Sequence, residues 1–145
     1  MNVPATEEAV RTAVAAAEAA DDVKASDLRI FDVSDVLALV DVFVVATASS
    51  DRQLRAVTDR IESRMRDEGR RPLHREGTAE AGWLLLDFGD VVCHVFDAEH
   101  RAFYALERLW SDVPERDPIT GVVISQGTPR SVDTSQTDAL FDGGE

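Results

Sequence analysis

The chain reads as a mixed α/β (α+β) domain, a mixed β-sheet of about five strands flanked by helices, and three observations carry that reading. Helix-periodic and strand-like segments alternate through residues 1–110 in the order α-β-β-α-β-β-β-α, a pattern that packs helices onto a mixed sheet. Trp83 to Phe96 (WLLLDFGDVVCHVF) contains two apolar arms joined through Asp87-Phe88-Gly89-Asp90, two strands folded over a short link. The length of 145 residues suits one domain with a real core.

The first helix is expected over Thr6–Ala20. Thr6 can cap it, Glu7 and Glu8 suit the positive end of its dipole, and Val10, Val14 and Ala17 form a thin apolar stripe. Leu28–Val33 has strand character with imperfect alternation, and Ser34–Val40 reads as either a turn or one helical turn. Val42–Ala46 is a continuous apolar run of strand length, as in a strand buried on both faces. Ser50 and Gln53 have capping-box spacing ahead of the clearest helix, where Leu54, Val57, Ile61 and Met65 recur at helical steps and Gly69 is placed for a C-cap. Pro72–Arg75 can form a short strand and Glu76–Glu80 a loop. After the Trp83–Phe96 segment, Asp97 can cap a last helix that runs to Trp110. From Ser111 onward Pro, Gly, Ser, Thr and Asp dominate, and the apolar clusters Val122-Val123-Ile124 and Leu140-Phe141 are isolated. Residues 111–145 are therefore expected to be an acidic, mostly disordered tail in which one cluster can dock.

The net charge is -13, and the seven acidic and two basic residues from Ser111 onward account for -5 of it, leaving -8 for the body. Such a body is poorly suited to gripping phosphate backbones, so sequence-specific nucleic-acid binding is not expected. The same charge serves either plain solubility or attraction to a basic protein partner. One cysteine, Cys93, rules out an internal disulfide framework. That fits a reducing cytoplasm. No apolar run approaches the roughly 18 residues of a membrane helix, and Glu7 and Glu8 stand where an export signal would be basic.

Asp87 and Asp90 could pair as metal ligands or as acid and base, but Asp and Gly are also what turns use. His94 shares a strand face with Phe96 and points away from Cys93, which disfavours a nucleophile–base pair. His74 and His100 show no ligand spacing with it. No catalytic residue, metal site or cofactor is assigned, and no phosphate-cradling glycine motif is present. In the last helix Ala102, Phe103, Leu106, Leu109 and Trp110 share one face, and Tyr104 falls on the far side near Arg101 and Arg108. Tyr104 is there either an incidental surface residue or a binding anchor. Trp83 opens its strand after a glycine-flanked loop, as a core or a partly exposed residue.

These residues resemble the ribosomal silencing factors, also called the RsfS or Iojap family. The resemblance rests on Asp41–Thr47 followed by Ser49–Gln53, on Glu76-Gly77, on Trp83–Phe96, and on Arg101, Tyr104, Leu106-Glu107 and Leu109-Trp110. It covers most of Ala5–Trp110, with Ala48 where relatives often have glycine and Cys93 where they usually have an aliphatic residue. It implies a nucleotidyltransferase-like fold and a non-enzymatic role: binding ribosomal protein L-fourteen on the large ribosomal subunit, so that the small subunit cannot join and translation falls when nutrients are scarce. Homodimers are seen among relatives. Carried over by position, Trp83, Asp87, Asp90 and Tyr104 are the main partner-binding candidates, with His94 and Arg101 beside them. The alternative is a nucleotidyltransferase-like metal-dependent enzyme using Asp87 and Asp90; the Gly-Ser turn and Asp-x-Asp pair of active members are missing.

Overall fold

The computed structural model describes residues 4–104 and 111–127, with only the backbone of residues 102–104. Among the described residues, ten elements follow one another: α1 (Glu7–Asp22), β1 (Ser26–Asp32), β2 (Val42–Ala48), α2 (Asp51–Asp67), β3 (His74–Thr78), β4 (Trp83–Asp87), β5 (Val91–Asp97), α3 (Ala98–Tyr104), β6 (Glu115–Arg116) and β7 (Val123–Ser125). The strands form one sheet in the order β3-β4-β5-β2-β1-β6-β7. Only β2 and β5, at its centre, run parallel, and every other neighbouring pair is antiparallel. The mixed sheet with helices is as the sequence predicts.

Both long helices start as their residues dictate. Thr6 accepts a hydrogen bond from the Ala9 amide, and Ser50 accepts one from Gln53. The expected reciprocal bond from Gln53 is displaced by one residue. Its Oε1 accepts from the Ser49 amide and hydroxyl, and its Nε2 donates to the carbonyls of Val23 and Lys24. Gln53 thus ties the start of α2 to the end of α1. At the far end of α2, Gly69 at φ 79 donates to Arg66 and Arg70 donates to Met65, the paired bonds of a Schellman cap.

Packing separates the sheet into two unlike faces. Leu54, Val57, Ile61 and Met65 of α2 press onto one face. The buried side of α1 is alanine (Ala9, Ala13, Ala16, Ala17 and Ala20), while Val10 and Val14 are only partly buried at its margin. Of the predicted stripe, Ala17 is buried in the contact while Val10 and Val14 form its edge, because small side chains let α1 lie close against α2 and the sheet. The second face carries a smaller cluster of Phe31, Val33, Val45, Phe96 and Val113, with Leu37, Val40, Phe43 and Trp83 packed on it.

One open alternative is decided and two local expectations change. Ser34–Val40 is a turn, with Val36 and Leu37 both donating to the Val33 carbonyl. Strand β3 begins at His74 and includes Glu76–Thr78, the stretch read as loop; its exposed residues carry no burial pattern for a sequence to display. Residues 115–125 join the sheet, with β6 pairing to β1 and β7 to β6. Two long-range bonds hold this segment: Asp32 donates its amide to the Pro114 carbonyl, and Glu115 pairs with Arg29. The continuation of the last helix to Trp110, the side chain of Tyr104, and residues 128–145 lie outside the described residues.

Candidate partner-binding surface

Strand alternation places Trp83, Leu85 and Asp87 of β4 on the face away from α1 and α2, since Leu84 and Leu86 between them are buried against the helices. Register then extends the row. Trp83 lies opposite Phe96, Leu85 opposite His94 and Asp87 opposite Val92, and these in turn sit beside Thr47, Val45 and Phe43 of β2. The result is an apolar, aromatic platform that neither long helix covers.

Trp83 is half-buried at one end of this platform. Its position depends on Gly77, across the β3–β4 pair, which has φ 85. A Cβ at Gly77 would stand 2.2 Å from the Trp83 carbonyl oxygen and 2.8 Å from Cε3 of its ring, so only glycine lets the indole approach. The Glu76-Gly77 pair of the sequence motif therefore shapes the site from a neighbouring strand.

His94 lies in the middle, edge-on to Phe43 at 5.0 Å and parallel to Phe96 at 5.9 Å between ring centroids. Both ring nitrogens are shielded and have no hydrogen-bond partner among the described residues, and burial pushes its pKa down to about 4. The ring is neutral at physiological pH and acts as an aromatic filler rather than an acid or base. Cys93, on the helix side, is buried and its thiol is pushed up to about 12, which leaves it unreactive.

Asp87 and Asp90 have different partners. The Asp87 carboxylate accepts from the Gly89 amide at 2.8 Å, the Asx bond of a tight turn. The Asp90 carboxylate pairs with Arg70, whose guanidinium also donates to the Phe88 carbonyl at 2.9 Å and to Thr12 on α1 at 3.1 Å. Arg70 thus clamps the β4–β5 turn against α1, a role no sequence pattern signalled. The Asp90 carbonyl accepts from Asp41 and Val42 and fixes the start of β2 beside the turn. Among the described residues, no group of three or more His, Cys, Asp or Glu side chains is placed to hold a metal ion.

Arg101 is only 4% exposed. It donates to the Thr47 hydroxyl at 2.6 Å and pairs with Asp27 at 3.1 Å, and it anchors α3 at the end of the platform. A long side chain committed to two strands in this way positions its neighbours rather than reaching outward. At the start of α3 the Asp97 carboxylate accepts from the His100 amide, as its capping position predicts.

The model of the family described as ribosomal silencing factor during starvation matches residues 6–140. The chain belongs to the RsfS family. The match runs well past Trp110, where the resemblance in the sequence was expected to end, so the β6–β7 segment falls inside the matched region. The RsfS protein of Bacillus subtilis is 38% identical over 102 residues, covering 70% of this chain and 86% of that protein. That of Treponema pallidum is 41% identical over 103 residues, covering 69% and 90%. The chloroplastic Iojap protein of maize is 37% identical over 108 residues, covering 72% of this chain and 46% of the longer plant protein. A crystal structure of a Chromobacterium violaceum protein superimposes with a TM-score of 0.67 at 32% identity, over 70% of this chain and 85% of that one. A Bacillus halodurans structure gives 0.64 at 30% identity, over 77% and 99%. The family match over residues 6–140 spans the platform residues and the turn that Arg70 braces.

Proposed function

We propose that this chain silences translation by binding the large ribosomal subunit through the platform around Trp83, Leu85 and Asp87, and that its contact there is ribosomal protein L-fourteen. One observation carries the reading: an apolar and aromatic sheet face, left uncovered by α1 and α2, on a chain with a net charge of -13. Half-buried aromatic residues supply contact area and hot-spot energy. The surrounding negative charge speeds encounter with a basic ribosomal protein and rejects acidic surfaces. Bound on the intersubunit side, the folded domain is a steric obstacle to the small subunit, so no chemistry is required of it.

Trp83, Asp87 and Tyr104 are the residues proposed to touch the partner. Asp90, His94 and Arg101 serve the same surface from beneath, by bracing the turn, filling the aromatic layer and holding α3. The chain acts in the compartment of the ribosomes it silences, the cytoplasm. The family resemblance implies a homodimer as well, which this reading includes. The alternative metal-dependent enzyme has less support, because Gly89 and Arg70 already engage the two carboxylates it would use.

Co-sedimentation with purified large subunits tests the proposal. The chain is expected to pellet with them at moderate salt and to inhibit their joining with small subunits; failure to pellet overturns the reading. Folded Trp83→Glu and Tyr104→Glu variants that still bind with unchanged affinity would refute the assignment of the surface. Sedimentation velocity of the chain alone reports the dimer.

A further inference from the structure

A second surface lies on the opposite side of the sheet from Trp83. A groove of about 290 Å³ runs between α1 and the β6–β7 hairpin, with Val14 and Ala17 on one wall, Leu28 at its base, and Pro118 and Ile119 on the other wall. Ile119 is 82% exposed, and Val122 and Ile124 beside it are 61% and 58% exposed. These three form half of the six exposed large hydrophobic residues among those described, so the hairpin concentrates apolar surface that a protein normally buries or uses for contact.

This exposure is built rather than incidental. The Asp117 carboxylate accepts from the amides of Ile119 and Thr120, and the Asp117 amide donates to the Val122 carbonyl. Arg116 donates to the Gly121 carbonyl at 2.7 Å. Gly121 meets α1 so closely that a Cβ there would stand 3.0 Å from Val10 and 3.2 Å from Val14. The turn is pinned to α1, and Ile119 is held out along the rim.

The charge of the groove specifies its occupant. Its charged lining residues, Glu18 and Asp21, are both acidic, and α1 as a whole carries five carboxylates against one arginine. Glu18 is paired with Arg64 at 2.7 Å, and no ion pair engages Asp21 among the described residues. An apolar floor with an acidic rim fits a segment with aliphatic residues on one side and lysine or arginine on the other. We propose that this groove docks a basic amphipathic segment of a partner protein, independently of the Trp83 platform, so that the chain holds two partners on opposite sides of its sheet.

The test uses the full chain and a fluorescein-labelled amphipathic leucine–lysine peptide, followed by anisotropy, with a leucine–glutamate peptide of the same pattern as reference. The basic peptide is expected to bind and the acidic one not to. Ile119→Glu and Asp21→Lys should each weaken binding by roughly tenfold or more, while Trp83→Glu and Leu39→Glu should leave it unchanged. Amide shifts in an NMR titration should centre on Val14, Leu28 and Ile119. Equal loss with Leu39→Glu, or no loss with Ile119→Glu, overturns the groove as the site. Self-association abolished by Ile119→Glu would identify a second copy as the occupant and overturn the partner assignment. So would tighter peptide binding on replacing Leu140 and Phe141 by Asp, which would identify the chain's own C-terminal segment.

Discussion

On the helix-covered face of the sheet, Leu84, Leu86, Cys93 and Val95 are at most 2% exposed, while on the other face their strand neighbours Trp83, Leu85 and His94 are only partly buried. The strands are the same, so alternation of side chains gives each face its own composition. The first face is aliphatic and alanine-rich, and packing beneath α1 and α2 accounts for nearly every residue in it. The second combines rings, a shielded histidine without hydrogen-bond partners among the described residues, and a tryptophan that needs a glycine on the neighbouring strand. Folding accounts for the buried members of that row, Val45, Val92 and Phe96, but not for the partly exposed Trp83, Leu85 and Asp87, so binding should respond to those three more than stability does.

The largest effect is expected on the covered face. Ile61→Ala removes a side chain that is 1% exposed and should cost about 2–5 kcal/mol in urea unfolding. Folded Ile61→Ala molecules should still bind large subunits with wild-type affinity; weakened binding would show that the two faces are coupled. On the open face the pattern should reverse. Trp83→Glu should lower affinity for large subunits by roughly 30-fold or more, with a smaller loss of stability than Ile61→Ala because Trp83 is only half-buried against its cluster.

His94 gives a sharper probe, because burial holds its pKa near 4 against an ordinary 6.5. The unfolded chain takes up that proton as pH falls below about 6.5 while the folded chain does not. The stability present above 6.5 is therefore lost progressively toward pH 4. Between pH 7.5 and pH 5 the wild type should lose about 2 kcal/mol more than His94→Leu. His74 and His100 are common to both proteins and cancel in the comparison. Equal pH profiles would place the ring in water.

The smallest effect concerns the clamp between the faces. Arg70→Ala frees the Asp90 carboxylate and the Phe88 carbonyl, and should cost about 1–2 kcal/mol because the pair is partly solvated. It should also raise amide exchange at Gly89 and Asp90. If binding to large subunits falls in proportion to that exchange, the braced turn is part of the docking surface.

Much of this molecule was legible in its residues because the relevant signals are local. Helix α2 declared itself through Leu54, Val57, Ile61 and Met65 and through Ser50, and the β4–β5 pair through its two apolar arms and Gly89. The turn role of Asp87 was equally readable, since the carboxylate bonds an amide two residues away. Arg70 was not, because its three partners lie on α1 and in the β4–β5 turn. Nor was the β6–β7 hairpin: two strands of two and three residues, set in a stretch rich in Pro, Gly and Asp, look like an unstructured tail until β1 provides an edge to pair with.

Composition and periodicity by themselves determined the mixed sheet with helices, both long helices, the central strands and the acidic character. Those properties follow from side-chain spacing and short-range hydrogen bonds. Tertiary structure decided which side of each strand faces the helices, that alanine rather than valine seats α1, and that Arg101 is an anchor inside the fold. It also decided that Gly77 makes room for Trp83. These outcomes depend on contacts between residues far apart in the chain, where the space left by one element sets what the next can place there.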